Sequence, residues 1–424
     1  MKIKSSLLWL FIVGFIIRIA LLFYDYSFDV NSHMGWGREV VKYGIAGLYE
    51  RKSIERYSTI YPNYPPVAIY LFTTGNLLNK SLFNLSWYLN THIKAFPSVI
   101  MHYFDIYRVY QALVKLPAVF ADLGIAYYLY LMVKKMRPHN TKAPLIAAAF
   151  VLLNPAFFYN SVLWGQIDSL PLIFLIASCY YLLFRKSYIL PSILITLSIL
   201  SKQSSVIFVP FFFMFLFRMY GWKKLLIGVT VSLITFIILF IPFFPDHTSV
   251  TYPFIAYWNK MILVSGLPYV NNYAFNFWAL ITNWKNILDT ELWFGMPYRV
   301  WGYIFSVVCI IPVMLITYKR KWSTELTIHL LFVVAVTVFM FFTKIHERHF
   351  LQALIFAIPL AVTDKRKTIA LVLLSTVHFL NLYHNWAVPE VSVLVTALHT
   401  TAFHMSAVII LMLGSVYLAY KKAN

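Results

Sequence analysis

"APLIAAAFVLLNPAFFYNSVLWGQIDSLPLIFLIASCYYLLFRK" (residues 143–186) holds two apolar runs, 143–160 and 169–184, separated by one short polar interruption. Lys142 stands before the first run, and Arg185 and Lys186 follow the second. Apolar runs approaching the ~20 residues that span hydrocarbon, with basic residues at their outer ends, read as a helical hairpin through a bilayer. The turn at its far end, WGQIDS at 164–169, carries Trp164, Gln166 and Asp168. A carboxylate there is either a helix N-cap, with Pro171 in the first turn, or a member of a site.

The same pattern extends over the chain. Its 424 residues are 61% hydrophobic and 12% charged, against ~25% charged in soluble domains, and mean hydropathy is +0.72. Twelve candidate spans follow, near 6–24, 110–133, 143–160, 169–184, 187–201, 204–217, 224–243, 299–318, 325–343, 349–363, 367–385 and 401–420. The fold class expected is an all-α polytopic membrane protein in one domain, 1–424. The N-terminal run is long and no small-residue cleavage site follows it, so it reads as a retained first span rather than a signal peptide. Cys179 and Cys309 lie inside apolar runs and read as buried small hydrophobes.

Charge sets the orientation. A net charge of +20 lies mostly in short clusters between apolar runs, which argues against a nucleic-acid partner. With Lys2 and Lys4 in the cytoplasm, the even-numbered connections carry Lys134, Lys135, Arg137 and Lys142; Arg185 and Lys186; Arg218, Lys223 and Lys224; Lys319, Arg320 and Lys321; and Lys365, Arg366 and Lys367. Lys421 and Lys422 fall on that side too. This positive-inside pattern places both termini in the cytoplasm. Residues 25–109 then form a long first outer connection, whose apolar segment 65–78 suits an interfacial or re-entrant helix, and 244–298 form a second.

Four polar clusters fall on the outer side: DYSFDVN at 25–31, WGQIDS at 164–169, LSKQSS at 200–205 and KIHERH at 344–349. Ionisable groups beside hydrocarbon are costly and usually mark pathways or sites, so four at one level suggest a shared polar cavity. Lys202 either snorkels outward or meets an anion. Arg348 suits a phosphate, which guanidinium binds bidentately. His346 and His349, at spacing i, i+3, are too few for a metal site. Asp122, within the second span, is either a helix–helix partner or a site member. Carboxylates and fixed cations at a lipid edge suit transfer of a polar group from a lipid-linked anionic donor.

The series "FDVNSHMGWGREVVKYGIAGLYE", "NYPPVAIYLF", "KLPAVFADLG", "NPAFFYNSVLWGQIDSLPLIF", "LSKQSSVIFVPFF" and "KIHERHFLQALIFAIPL" resembles the GT-C superfamily of polytopic glycosyltransferases. It also resembles bacterial mannosyltransferase-like proteins related to the enzyme that adds the second mannose in GPI-anchor synthesis. The resemblance implies a GT-C-like bundle with interfacial helices in the first outer loop. It also implies a polyprenyl-phosphate sugar donor and a bacterial plasma membrane. Asp29 takes the position of the catalytic base, with Asp25 its competitor. Lys202, Arg348, His346 and His349 would hold the donor phosphate. Trp164, Gln166, Asp168, Gln203 and Asp122 would meet sugar or acceptor. Some members use a divalent metal and others none, so magnesium or manganese stays open here. The acceptor is a glycolipid, polysaccharide or protein. The rival expectation is a multi-pass transporter or lipid flippase, which often shows pseudo-symmetric halves.

Overall fold

The computed structural model describes residues 2–25, 27–51, 61–105, 108–245, 249–264, 266–320 and 323–420. Lys321, Lys421 and Lys422, counted above among the basic ends, lie outside the described residues.

The apolar runs fold as helices. They include Lys2–Leu21, Arg108–Met136, Ala143–Leu152, Ser169–Phe184, Ile189–Ser201 and Val209–Phe240. Tyr298–Lys319, Thr324–Phe341, Leu351–Ala361, Lys365–Asn385 and Thr401–Tyr420 complete the series. The runs expected at 204–217 and 224–243 are two helices within Val209–Phe240, parted at Gly221, whose φ of 77° and ψ of −179° are non-helical. Among the described residues, six helices are long and apolar enough to cross a membrane. Ser5–Leu21, Ser169–Phe184 and Ile189–Ser201 are shorter apolar helices. Leu351–Ala361, at 11 residues, rises only ~17 Å. Length therefore does not carry all twelve spans. The molecule is a helical membrane protein, and its outer helices say why. Leu233, Ile234 and Ile238 on one helix and Val307, Val308 and Ile311 on another are exposed, an apolar face that lipid covers and water would not.

The first connection is more helical than its sequence suggests. Phe28–Tyr43 and Val99–Asp105 are helices, and the short apolar segment 65–78 is the start of a 27-residue helix, Pro66–His92. Phe28–Tyr43 packs closely on Pro66–His92 because Gly37 leaves room. A Cβ there would stand 2.4 Å from the Phe72 carbonyl oxygen.

A buried polar clamp ties four segments below the site. Arg18 is fully buried and donates from Nε to Asp122 Oδ2 at 2.8 Å. Its remaining guanidinium nitrogens meet the carbonyls of Gly14, Leu152 and Val151 at 2.8–3.1 Å. Ser161 donates to the same carboxylate at 2.7 Å, and Ser169 also donates to it. Every oxygen of Asp122 is thus engaged by protein, which makes it a helix–helix tie.

Connections sort to opposite ends of the bundle. Arg137 pairs with Glu325, and Arg218 stacks over Tyr318, gathering basic connections at one end. The turns around 164–168, 202 and 345–349 meet at the other. There a short parallel pairing of Asn271–Asn272 with Ile345–His346 joins the second long connection to the HERH segment.

Candidate functional site

The turn after Trp164 depends on one glycine. Gly165 has φ +82°, and a Cβ there would lie 2.3 Å from Val30 Cγ2 and 3.2 Å from Lys115 Cε. Only glycine both adopts that backbone and admits the neighbouring chain. The residues that follow, Gln166 and Asp168, are thereby pressed against the start of Phe28–Tyr43. The Ser27 amide donates to the Trp164 carbonyl at 3.0 Å, fixing the two strands of chain side by side.

A continuous polar chain results. Gln166 donates its amide to Asp29 Oδ2. Gln166 Oε1 accepts from the Tyr64 hydroxyl and from Lys202 Nζ, each at 3.4 Å. Lys202 Nζ donates to Asp168 Oδ1 at 2.5 Å. Asp168 Oδ2 accepts from Asn160 at 3.3 Å and lies 3.8 Å from Arg348 Nε. Arg348 donates to Glu347 Oε1 at 3.1 Å. The guanidinium also lies over the Trp164 ring, 5.9 Å from its centre.

The capping alternative for Asp168 does not hold. It occupies the N-cap position of Ser169–Phe184, yet its side chain makes no cap hydrogen bond and turns instead to Lys202. Lys202 does not snorkel; its anion is Asp168. Burial alone would raise the Asp168 pKa, but Lys202 and Arg348 outweigh it and hold the carboxyl below the usual carboxylate range. Gln166, Asp168, Lys202 and Glu347 form a buried floor, while Asp29, His346, Arg348 and His349 are only partly covered. Access is therefore from the Asp29 and Arg348 side.

The histidines contribute neutral donors rather than charge. His349 Nδ1 accepts from the His346 amide at 3.2 Å, so its proton sits on Nε2. Burial, joined by Arg348 and Lys202, pushes His349 down to about 3 despite Asp168, and His346 well below its ordinary value. Among the described residues no group of three or more His, Cys, Asp or Glu could hold a metal ion.

Of the residues expected at the site, Asp29, Trp164, Gln166, Asp168, Lys202, Arg348, His346 and His349 converge. Gln203, next to Lys202, is buried at the start of the following 3-10 turn. Asp122 is held apart in the Arg18 clamp. Asp25 gives its backbone carbonyl to Lys115.

Sequence reasoning missed four residues. Glu347 lies in the HERH segment and is fully buried; burial raises its carboxyl pKa against the pull of Arg348. His33 stacks on Phe72, with centroids 4.3 Å apart, and meets Tyr64 edge-on at 5.1 Å. It stands one helical turn beyond Asp29, a spacing that could have flagged it. Tyr64 carried no signal. Lys115 did: a lysine inside an apolar helix is costly, and here it donates to the carbonyls of Leu22 at 3.0 Å and Val162 at 2.7 Å. That staple holds the chain leading to Asp29. No family model matches this chain, and neither does any curated protein.

Proposed function

We propose that the chain is an inverting glycosyltransferase that moves a hexose, mannose favoured, from a polyprenyl-phosphate donor to an acceptor hydroxyl on the outer face of a bacterial plasma membrane. The observation that supports this reading is the run Asp29–Gln166–Lys202–Asp168–Arg348, drawn from four distant segments to the end of the bundle opposite its basic connections. It puts a half-buried carboxylate beside two buried or partly buried cations. Asp29 takes the proton of the acceptor hydroxyl. The freed oxygen attacks the anomeric carbon, the bond from that carbon to the phosphate oxygen breaks, and the phosphate leaves carrying the electron pair. Lys202 and Arg348 stabilise the charge that grows on it, and His349 Nε2–H can donate a hydrogen bond. Two cations here face three carboxylates, Asp29, Asp168 and Glu347. An arriving phosphate would therefore exchange with one of these pairings, and burial, which raises the Glu347 pKa, favours a proton on that carboxyl when its pairing with Arg348 is given up. A groove of about 310 Å³ lies deeper between Ala143–Leu152 and Lys365–Asn385, lined by Phe150, Leu153, Val372 and Phe379. It offers apolar surface for a lipid chain.

One feature favours the rival transporter reading. The span Ala143–Trp164 is interrupted at Leu153 and Asn154, and discontinuous helices near the midplane are a transporter trait. Sugar release from radiolabelled polyprenyl-phosphate sugars by purified protein, with membrane extract as acceptor and chelator in a parallel tube, separates the two. Turnover of one donor, reduced ~10²–10⁴-fold in Asp29→Asn with donor binding retained, is expected. Absence of turnover with every donor would discard the transferase reading, and near-normal turnover in Asp29→Asn would remove Asp29 from the role of base.

A further inference from the structure

Glu347 and Arg348 are neighbours in sequence and partners in space, yet neither saturates the other. Glu347 is fully buried, and its Oε1 accepts from Arg348 Nη1 at 3.1 Å. Its Oε2 is buried with no hydrogen-bond partner, 3.9 Å from His346 Nδ1. Arg348 Nε is in the same state: it makes no hydrogen bond, and Asp168 Oδ2 stands off at 3.8 Å. Buried polar atoms without partners are costly and call for an explanation. Here the acid has an idle oxygen and the base an idle N–H, an arrangement suited to exchange of one anion for another.

Charge decides what must accompany that exchange. The start of Phe28–Tyr43 brings Asp29, the 164–168 turn brings Asp168, and the turn after Ile189–Ser201 brings Lys202. His346, Arg348 and His349 share the segment with Glu347. His378 of Lys365–Asn385 packs on Phe350 beside it, and Lys344, just before it, faces Asp289 at 3.8 Å. With His346 and His349 neutral, three carboxylates face two cations. A phosphodiester that takes Arg348 adds another negative charge and strips Glu347 of its cation where water does not reach. A carboxylate buried beside a phosphate anion is strongly disfavoured; a proton removes its charge and turns one oxygen from acceptor into donor. Asp168 still has Lys202 at 2.5 Å, and Asp29 is only partly covered and holds the Gln166 amide. Glu347 is the carboxyl whose own cation the phosphate takes. Burial already moves it upward against the pull of Arg348, and Asp29 adds to that rise.

We propose, on the donor-site reading given above, that Glu347 takes up one proton as the donor phosphate replaces it on Arg348, and then donates a hydrogen bond from its carboxyl to that phosphate. Glu347 thereby joins Lys202 and Arg348 as a phosphate-binding residue, acting as an acid rather than a cation. Binding of donor and binding of the proton favour each other. Affinity is therefore highest at low pH and falls as pH rises, by at most about tenfold per pH unit, the slope of one proton.

The test measures binding of a polyprenyl-phosphate mannose to the full chain in detergent, without acceptor, from about pH 5.5 to about pH 8.5. A phosphodiester keeps its single charge over that range, so the probe takes up no proton itself. The dissociation constant should rise with pH, and titration calorimetry in buffers of different ionisation enthalpy should read close to one proton taken up by the wild type. Glu347→Gln keeps an oxygen for Arg348 but cannot ionise, and should flatten the dependence. Asp29→Asn and His349→Gln should keep the slope. A pH-independent constant with no proton uptake in the wild type would overturn the inference and leave the transferase reading standing. So would a slope that persists in Glu347→Gln and disappears in Asp29→Asn or His349→Gln. Failure of the probe to bind at any pH would discard the donor site itself, and this inference with it.

Discussion

Lys202 and Asp168 show what a single buried pair contributes. Both side chains are 6% exposed, so removing one partner leaves a charge that water cannot reach, at a cost of roughly 3–5 kcal/mol. Lys202→Met and Asp168→Asn should each destabilise by that order, and the double variant by clearly less than their sum. Additive losses in thermal unfolding would mean that the two residues act independently. His33 makes a pH prediction. Burial, against the pull of Asp29, pushes its imidazole down to about 3, whereas an unfolded histidine titrates near ~6.5. Below ~6.5 the unfolded chain binds a proton that the folded chain refuses, so this contribution is present above ~6.5 and lost progressively towards 3. His349, also held near 3, acts in the same direction. Unfolding temperature should fall between about pH 7.5 and about pH 5.5, and His33→Phe should reduce that fall. An unchanged fall in the variant would clear His33 of the effect.

Among the elements, the turn between Ala143–Trp164 and Ser169–Phe184 is the most constrained. Gly165→Ala would place a Cβ against Val30 at a left-handed backbone position, costing at least ~1–3 kcal/mol. Because Gln166 and Asp168 follow it directly, turnover should fall further than the loss of folded protein explains. Equal losses would reduce the turn to a packing role. The Arg18–Asp122 clamp was only half legible. The sequence offers a carboxylate inside the second span and an arginine inside the first, and intramembrane charges usually pair. Nothing in either local pattern says that they pair with each other across 104 residues. The stretch Val209–Phe240 is the reverse case: both apolar runs and the basic interval between them were readable, and the structure keeps them as two helices parted at Gly221.

For the whole molecule, the prediction is orientation. Asn140 lies in a basic connection and Glu390 at the opposite end of Lys365–Asn385, and both are exposed. In intact cells a membrane-impermeant thiol reagent should label Glu390→Cys and spare Asn140→Cys, with inverted vesicles giving the opposite result. Cys309 is exposed only along an apolar helix, so the parent chain serves as the background. Labelling of Asn140→Cys from outside would invert the topology and put the candidate site on the cytoplasmic face.

Sequence alone determined the class of this protein, a helical membrane protein, and placed its polar turns at helix ends. Apolar run length and the placement of lysine and arginine are local properties, set by hydrocarbon thickness and by charge at the membrane surface, so they survive without knowledge of contacts. The same locality put WGQID, SKQ and HERH at helix ends on one side. Which polar groups then touch is a matter of helix rotation and packing, and only the tertiary structure decided it. It turned Asp168 from a cap into the partner of Lys202, withdrew Asp122 into the Arg18 clamp, and brought Tyr64 to Gln166 and Arg348 to Asp168. Burying a charge is affordable only where another segment supplies its counter-ion, and that segment lies far away in the chain.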